Sequence, residues 1–282
     1  MFAKMGNLSE SAEKTGTAVG AFNINNLEVL QAVVAAAEKL NLSAIIQTTP
    51  KAIEYCGLSE IYAMVMAAIN QAKVPLVLHL DHGNSFEIVE ACLKIGYRSV
   101  MFDGSKLPFG ENVSETKKVV ELAKKFDAFV EGEIGVIAKG EEGERSNRQF
   151  TDPETAAEFV QQTGVDSLAI SIGNTHGAPV GEKIDIELLK KINSAVEIPL
   201  VMHGSSGLSD DDLLAAIENG IRKINIDTRL KQAFRFGISE EIADKNLDIR
   251  DVLSDAREDV EVVVEKYLQI FNQERTTNIS NN

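Results

Sequence analysis

The sequence has little of what marks several large classes of protein. It has only two cysteines, Cys56 and Cys92, in 282 residues, and both lie in segments with a helical pattern. A reduced, cytoplasmic protein whose cysteines are small core residues fits this better than a disulfide scaffold. No apolar run approaches the ~18 residues of a membrane span. Residues 1–6 lack the apolar stretch of a signal peptide, so we expect no secretory leader.

Positive charge is also scarce. Lysine and arginine number 28 against 43 aspartates and glutamates, which gives a formal net charge of −15. Because no Lys/Arg-rich run occurs, we expect neither nucleic acid nor an anionic membrane as the main partner. A small anionic substrate stays compatible with this charge, since the local field of a pocket can oppose the net charge.

The chain does contain a regular alternation of strand and helix patterns. The predicted strands are residues 17–24, 43–49, 74–80, 98–102, 128–134, 165–172, 198–202 and 221–226. Each is followed by apolar residues at helical spacing, which predicts an α/β (β/α)8 TIM barrel in one domain, 1–275. Residues 251–273 predict a C-terminal helical extension, and the polar tail 276–282 is predicted to be disordered.

Two further stretches bear on that prediction. A doubly wound open sheet is the alternative fold, but it would need a Gly-rich dinucleotide fingerprint after the first strand, and Gly16 and Gly20 do not supply one. Residues 138–152 are rich in Gly, Glu, Arg and Asn without an apolar period. A structureless connection of that length is typical of a functional lid or a disordered segment.

Histidine is rare, yet three of the four histidines follow predicted strands: His82, His176 and His203. In such a barrel the strand ends converge on one mouth, where catalysis takes place. Three imidazoles with one open position suit a catalytic Zn²⁺, whereas any single one of them could be merely a hydrogen-bonded structural residue. The odd spacing puts the fourth, His79, on the opposite side of its strand from His82, which favours a supporting role.

Further groups of interest lie at the ends of the third, seventh and eighth predicted strands. Asp81 precedes His82, and it could be a metal ligand, a salt-bridge partner or a general base within reach of a hydroxyl. The Gly/Ser turn at residues 204–207 and the stretch 225–228 each precede a helix. Because the loops after strands 7 and 8 form the usual phosphate site of this architecture, they predict phosphate binding.

Together these residues resemble the class II, zinc-dependent ketose-bisphosphate aldolases, which include fructose-bisphosphate and tagatose-bisphosphate aldolases. The similar segments are residues 18–28, 79–83, 131–135, 164–169, 176–177, 203–207 and 225–228, and the resemblance extends to about Arg257. It implies a barrel that binds Zn²⁺ through His82, His176 and His203, with Glu133 as an additional ligand and Asp81 as the catalytic acid/base. Many members also use a monovalent cation, Na⁺ or K⁺, near the substrate phosphate.

The resemblance also implies a proton donor and a substrate site. The loop 139–143 resembles the mobile acidic loop of the family, so Glu142, or else Glu141, is the candidate that reprotonates the substrate carbon. The implied substrate-binding residues are Asn23, Thr49, Gly177, Lys183, Gly204, Ser205, Ser206, Asn225, Ile226, Asp227, Thr228 and Arg257. The sequence departs from the family where a lysine is common, at Val180, and Thr49 stands where serine is frequent. For the second phosphate, Arg250 is an alternative to Arg257.

The sequence therefore predicts a cytoplasmic aldolase that reversibly cleaves fructose 1,6-bisphosphate into dihydroxyacetone phosphate and glyceraldehyde 3-phosphate through a zinc-stabilised enediolate. Tagatose-bisphosphate aldolase, or another ketose-phosphate aldolase, is the alternative, because the two bisphosphates differ only at C4. A metal-free sugar-phosphate isomerase and a non-catalytic phosphosugar-binding barrel are more remote. A homodimer or higher homo-oligomer is expected because it is common in the family.

Overall fold

The computed structural model describes residues 2–139, 149–177, 181, 183–241 and 248–273. In chain order its strands are β1 (Val19–Asn23), β2 (Ala44–Thr48), β3 (Leu76–Gly83), β4 (Ser99–Phe102), β5 (Phe129–Ile134), β6 (Ala138–Lys139), β7 (Ser167–Ile170), β8 (Thr175–His176), β9 (Leu200–Met202) and β10 (Ile221–Ile226). Eight of these described strands are parallel and close a barrel in the order β1-β10-β9-β7-β5-β4-β3-β2. The predicted TIM barrel is confirmed.

Helices connect the strands and cover the outside of the barrel. They are α1 (Met5–Thr15), α2 (Leu27–Leu40), α3 (Pro50–Cys56), α4 (Leu58–Gln71), α5 (Phe86–Ile95), α6 (Phe109–Lys124), α7 (Pro153–Thr163), α8 (Ile186–Ala195), α9 (Asp210–Glu218), α10 (Thr228–Glu241) and α11 (Ile249–Phe271). The predicted C-terminal extension is α11, which packs against α2 and α10. Whether 1–275 forms one domain stays a prediction, and the predicted tail lies outside the described residues.

Three elements differ from the prediction. Neither α1 nor α3 was predicted, and α3 begins at Pro50 directly after the second strand. Residues 138–139, assigned to a structureless connection, instead form β6, which pairs in parallel with β8. This pairing joins the chain after β5 to the strand that carries His176. Two-residue strands have no periodicity, so only the tertiary contact reveals them.

Local sequence explains the regular helices. In α2, apolar residues recur at helical spacing, and the Asn26 side chain accepts a hydrogen bond from Val29 N at the helix start. Asn41 ends the helix in the left-handed conformation, with a φ of 52°. Because the buried face of α2 includes Leu30 and Val33, which are fully buried, the helix is fixed on the barrel by burial of apolar surface.

The barrel interior is layered. At the end where the strands begin, Leu8 and Ala12 of α1 pack with Ile45 and Val77, so α1 closes that end with apolar side chains. Above this plug lies a buried polar layer that contains Gln47, His79, Glu131 and Lys223. The carboxyl ends of the strands form the opposite, open mouth. The interior therefore becomes more polar toward that mouth.

Two smaller expectations concern cysteine and membrane spans. Cys56 and Cys92 are free thiols, and Cys92 is fully buried, as expected of a core residue. Burial raises the pKa of the Cys92 thiol to about 12. Within the described ranges no single helix is long and apolar enough to cross a membrane; the two helices α3 and α4 pass that test only as a pair bent by 99°.

Candidate active site

The backbone of β3 changes direction at its end. His82 has a φ of 50°, in the left-handed region, and the pairing register with β4 shifts between Leu80 and Gly83. Strict alternation would send Asp81 and His82 to opposite faces of the sheet. The left-handed residue turns the His82 ring back toward the mouth, at a cost of about 1–2 kcal/mol. Such strain persists only where the surrounding structure holds it, and it is common at functional sites.

His79 is placed differently from the expectation. It lies inside the barrel, fully buried, with Nδ1 2.7 Å from Ser99 Oγ and Nε2 3.8 Å from Glu131 Oε2. His79 and Asp81 thus share the inner face, one layer apart. We expected His79 and His82 on opposite sides of a regular strand, but the strand is not regular at this point, because the backbone turns at His82. Burial holds the pKa of His79 well below its ordinary value, so this ring is neutral support beneath the mouth.

Two histidines meet at the mouth from β3 and the end of β9. His82 Nε2 lies 3.0 Å from His203 Nδ1, although 121 residues separate them. The other nitrogen of each ring contacts a carboxylate: His82 Nδ1 is 2.9 Å from Asp103 Oδ2, and His203 Nε2 is 2.7 Å from Glu131 Oε1. Since a carboxylate only accepts hydrogen bonds, both of these outer nitrogens carry protons. Without a cation, one proton joins the two nitrogens that face each other at 3.0 Å, and a cation bound there would replace that proton.

Burial and charge perturb these groups strongly. Burial disfavours the charged His82 ring, but the carboxylates of Asp81 and Asp103 outweigh it and raise the pKa of His82 to about 10. Burial, reinforced by Asp103, raises the pKa of Glu133 to about 8. Burial also holds the pKa of His203 well below its ordinary value. A concentration of perturbed groups in one cleft is typical of a functional site.

The donor atoms fit a divalent cation. Within the described part of the chain, two groups have ligand atoms that all lie within 4.8 Å of one another: Asp81 with His82 and His203, and His82 with Asp103 and Glu133. Glu133 Oε2 is buried without a hydrogen-bond partner, which is an atom that a cation would satisfy. Two ligand nitrogens about 3.0 Å apart are also close to the roughly 3.4 Å that two ligands at ~2.1 Å make on a tetrahedral ion.

His176, the third predicted ligand, lies beside this pair. Its ring centroid is 5.3 Å from that of His82, in a T-shaped arrangement. It belongs to neither of the two donor groups found among the described residues. The structure therefore brings His82 and His203 together with carboxylates and leaves His176 at the edge of the same cluster.

Asp81 is held as a hydrogen-bond acceptor on both oxygens. Asn23 Nδ2 donates to Oδ2 at 2.7 Å, and Asn225 Nδ2 donates to Oδ1 at 3.0 Å. Gln47 in turn donates to Asn23 Oδ1 at 2.7 Å, which fixes the orientation of that amide. Burial by itself disfavours the carboxylate, but the neighbouring His82 and His203 outweigh it and lower the pKa of Asp81. An ionised, oriented carboxylate beside a cation site is suited to act as a base.

The predicted phosphate loops lie at the same mouth. Gly204 adopts a φ of 61°, and a Cβ there would lie 2.7 Å from the backbone carbon of Thr175. The loop is therefore packed against the strand that carries His176. Arg229 Nε donates to Ser206 O at 2.8 Å and ties the loop after β9 to the start of α10. Next to it, Lys231 Nζ lies 2.6 Å from Asp227 Oδ2.

One cavity of about 880 Å³ joins these features. The predicted site residues that line it are Asn23, Thr49, Asp81, His82, Glu133, His176, Gly177, His203, Gly204, Ser206, Asn225, Asp227 and Thr228. Ser205 and Ile226 are fully buried behind its wall, where their side chains do not face the cavity. Glu142, Glu141 and Val180 lie outside the described residues.

Two predicted residues lie elsewhere on the described surface. Lys183 Nζ is 3.2 Å from Asp212 Oδ2, and Arg257 donates to Gln31 and Ser254. Neither lines the cavity in the part of the chain that the structure describes.

Sequence reasoning missed several residues of the site. Among the described residues the cavity also has three lysines, Lys51, Lys106 and Lys231, and the carboxylate of Asp103 in its wall. Asp103 follows the fourth strand directly, so the rule that found His82 and His203 could have found it. The lysines carry no comparable signal, because surface lysines are frequent and most are only solvated.

Known proteins share this architecture. The family described as fructose-bisphosphate aldolase class-II matches residues 3–276. The YdjI aldolase from Escherichia coli K12 is similar with a TM-score of 0.87 and 32% identity, over 97% of this chain and 98% of that chain. A Coccidioides immitis protein solved as a candidate fructose-1,6-bisphosphate aldolase has a TM-score of 0.88 and 29% identity, over 96% of each chain. A fructose-bisphosphate aldolase from Campylobacter jejuni, at 24% identity, shares the fold with a TM-score of 0.80 over 96% and 95% of the two chains.

Proposed function

The chain belongs to the class II fructose-bisphosphate aldolase family, and on this basis we propose that it is a zinc-dependent aldolase that reversibly cleaves fructose 1,6-bisphosphate into dihydroxyacetone phosphate and glyceraldehyde 3-phosphate. The observation that carries the proposal is the convergence of Asp81, His82 and His203 at one cavity, with ligand atoms within 4.8 Å of one another. A base beside a cation site is what carbon–carbon cleavage requires, whereas a binding protein needs no such base.

Each residue of the site has a distinct role in this cleavage. His82, His176 and His203 would hold the Zn²⁺, with Glu133 as an additional ligand, while Asp103 would support the His82 ring from its outer nitrogen. The bound ion supplies Lewis-acid stabilisation of the negative charge that develops on the substrate. Asp81 takes the proton of the C4 hydroxyl as the C3–C4 bond breaks, and C4 becomes the aldehyde carbon of glyceraldehyde 3-phosphate. The electrons of the broken C3–C4 bond pass toward the C2 carbonyl. Asn23 and Asn225 keep that carboxylate aimed at the cavity. On the family resemblance, Glu142 is the residue that returns a proton to C3.

Charge in the cavity supports a phosphorylated substrate. The lysines found among the described residues of its wall come from different elements: Lys51 from α3, Lys106 from the loop after β4, and Lys231 from α10. They supply positive charge locally in a chain whose formal net charge is −15. Since a bisphosphate carries a phosphate at each end, lysines on separate sides of one cavity suit it. Lys231 adjoins the loops where phosphate binding is predicted.

The test is zinc-dependent cleavage of both ketose bisphosphates. The protein is stripped with a chelator, reloaded with Zn²⁺, and assayed for kcat/KM on fructose and tagatose 1,6-bisphosphate. We expect activity that is lost on stripping, restored by Zn²⁺ and higher on the fructose substrate. A higher kcat/KM on tagatose 1,6-bisphosphate would reassign the substrate within the family. Full activity in the stripped protein would refute the zinc mechanism and favour metal-free chemistry.

Three further properties are proposed, the oligomeric state and the monovalent cation from the resemblance and the location from the scarcity of cysteine. The protein is a homodimer or higher homo-oligomer, it is cytoplasmic, and it uses Na⁺ or K⁺ near the substrate phosphate. Light scattering on the purified chain tests the oligomeric state, where a monomer would contradict it. Cell fractionation tests the location, and assays in buffers of tetramethylammonium, Na⁺ or K⁺ test the cation, because only a specific site distinguishes them at equal ionic strength.

A further inference from the structure

A buried ion pair lies in the barrel beneath the two histidines. Lys223 Nζ of β10 is 2.9 Å from Glu131 Oε2 of β5, and the side chains are 5% and 0% exposed. The two atoms lack the alignment of a hydrogen bond, so the attraction is chiefly Coulombic. These strands are not neighbours, and the pair therefore spans the barrel interior. Because removing two charges from water costs free energy that apolar packing would not, the pair needs a further explanation.

The other oxygen of Glu131 gives that explanation. Oε1 lies 2.7 Å from His203 Nε2, so the carboxylate receives the proton of that nitrogen. Nδ1 of the same ring is then unprotonated and faces His82 Nε2 at 3.0 Å. His79 stays out of this contact, since its Nδ1 is 2.7 Å from Ser99 Oγ and its Nε2 is 3.8 Å from Glu131. Each oxygen of Glu131 thus has a separate short contact.

We propose that Lys223 is a positioning residue for the cation site. It holds the Glu131 carboxylate in its orientation, and Glu131 in turn fixes the His203 tautomer that is protonated at Nε2, so that an unprotonated Nδ1 faces the site. Lys223 acts on the His203 ring only indirectly, because Glu131 lies between the lysine ammonium and that ring. Outer partners of ligand histidines commonly set both tautomer and affinity. The assignment of a cation rests on the proposed function, whereas the tautomer is a property of the chain itself.

The variant Lys223→Met removes the charge and keeps most of the side-chain length, while Lys223→Arg keeps the charge. Two quantities are measured on the full-length chain: the protonation of the His203 ring nitrogens by ¹⁵N NMR in metal-free protein, and Zn²⁺ affinity by competition with a chelator. We expect Lys223→Met to populate the tautomer protonated at Nδ1 and to weaken Zn²⁺ binding roughly 10–100-fold. Lys223→Arg should restore both. Lys118→Met, on the exposed face of α6, is the control and should change neither.

Lys223→Met leaves Glu131 as an unpaired buried charge, which can unfold the protein. The double variant Lys223→Met/Glu131→Gln buries no charge, and its amide can either accept from or donate to His203 Nε2. It should fold, show both tautomers and still bind Zn²⁺ more weakly. Wild-type tautomer and Zn²⁺ affinity in a folded Lys223→Met or double variant overturn the proposal. If wild-type protein neither binds Zn²⁺ nor cleaves a bisphosphate, the proposed function fails, yet the NMR measurement still decides the role of Lys223.

Discussion

Asp81 and His82 are consecutive residues of one strand, yet both contribute to the same cluster at the barrel mouth. Their ligand atoms and that of His203 lie within 4.8 Å of one another. The left-handed backbone of His82, with a φ of 50°, and the register shift after Leu80 make this possible. A single strained residue thus places a candidate base directly beside a candidate metal ligand.

Replacing Asp81 by alanine tests the role of that carboxylate. Because removing a general base costs typically about 10²–10⁴-fold in rate, Asp81→Ala should lower kcat by at least ~100-fold. Stoichiometric zinc should remain, since His82, His176 and His203 are left in place. Steady-state kinetics and metal analysis on the same sample measure both quantities. Asp211→Ala, an exposed position in the first turn of α9, is the control, and near-normal kcat in Asp81→Ala contradicts its role as base.

Replacing Asp103 by asparagine tests the support of His82. Asp103 Oδ2 lies 2.9 Å from His82 Nδ1, and Ser105 donates to Oδ1 from both its backbone nitrogen and its hydroxyl. Asparagine keeps the volume and loses the charge, so Zn²⁺ affinity should fall about 10–100-fold. Chelator competition measures it. Glu115→Gln on the surface of α6 should bind as the wild type does, and an unchanged Asp103→Asn affinity would remove Asp103 from the site.

Gly204 and Gly164 form a matched pair for stability. Both have a left-handed backbone, with φ of 61° and 68°, but a Cβ at Gly204 meets the backbone of Thr175 at 2.7 Å, whereas one at Gly164 meets nothing within 4 Å. Gly164→Ala should therefore lower the free energy of unfolding by only about 1–2 kcal/mol, which is the cost of a left-handed backbone at a residue with a Cβ. Gly204→Ala should cost at least ~1 kcal/mol more, because a backbone must move. Urea unfolding of the two variants measures the difference, and equal stabilities contradict the close packing.

Replacing two lysines of the cavity tests which groups bind the C6 phosphate of fructose 1,6-bisphosphate. The double variant Lys51→Met/Lys106→Met should lower kcat/KM for fructose 1,6-bisphosphate at least about tenfold, which corresponds to ~1.4 kcal/mol. Cleavage of fructose 1-phosphate, which lacks that phosphate, should change little. Lys183→Met is the comparison, because Lys183 pairs with Asp212 away from the cavity. A larger effect from Lys183→Met would instead support Lys183 in the substrate-binding role that the resemblance implies for it.

Much of the fold follows from local pattern. The bounds of β10 agree with the sequence prediction, and α2 follows the first strand as the helical spacing predicts, because apolar spacing, Asn caps and Gly ends are local signals. The helix α1 was missed although Leu8 and Ala12 are buried. Its apolar residues are few, and only the end of the barrel where the strands begin gives them a place to pack. Polar residues inside strands, such as Gln47 and Lys223, also carry no readable signal, since alternation does not show which face is the interior.

The sequence by itself determined the strand order along the chain, and with it which residues end each strand. That was enough to predict Asp81, His82 and His203 at one mouth, because parallel strands bring their carboxyl ends together. Only the tertiary structure decided that His82 turns inward, that Glu131 and Lys223 meet below His203, and that Lys51 and Lys106 line the cavity. These relationships depend on a bulge and on contacts between residues far apart in sequence, which no local preference encodes.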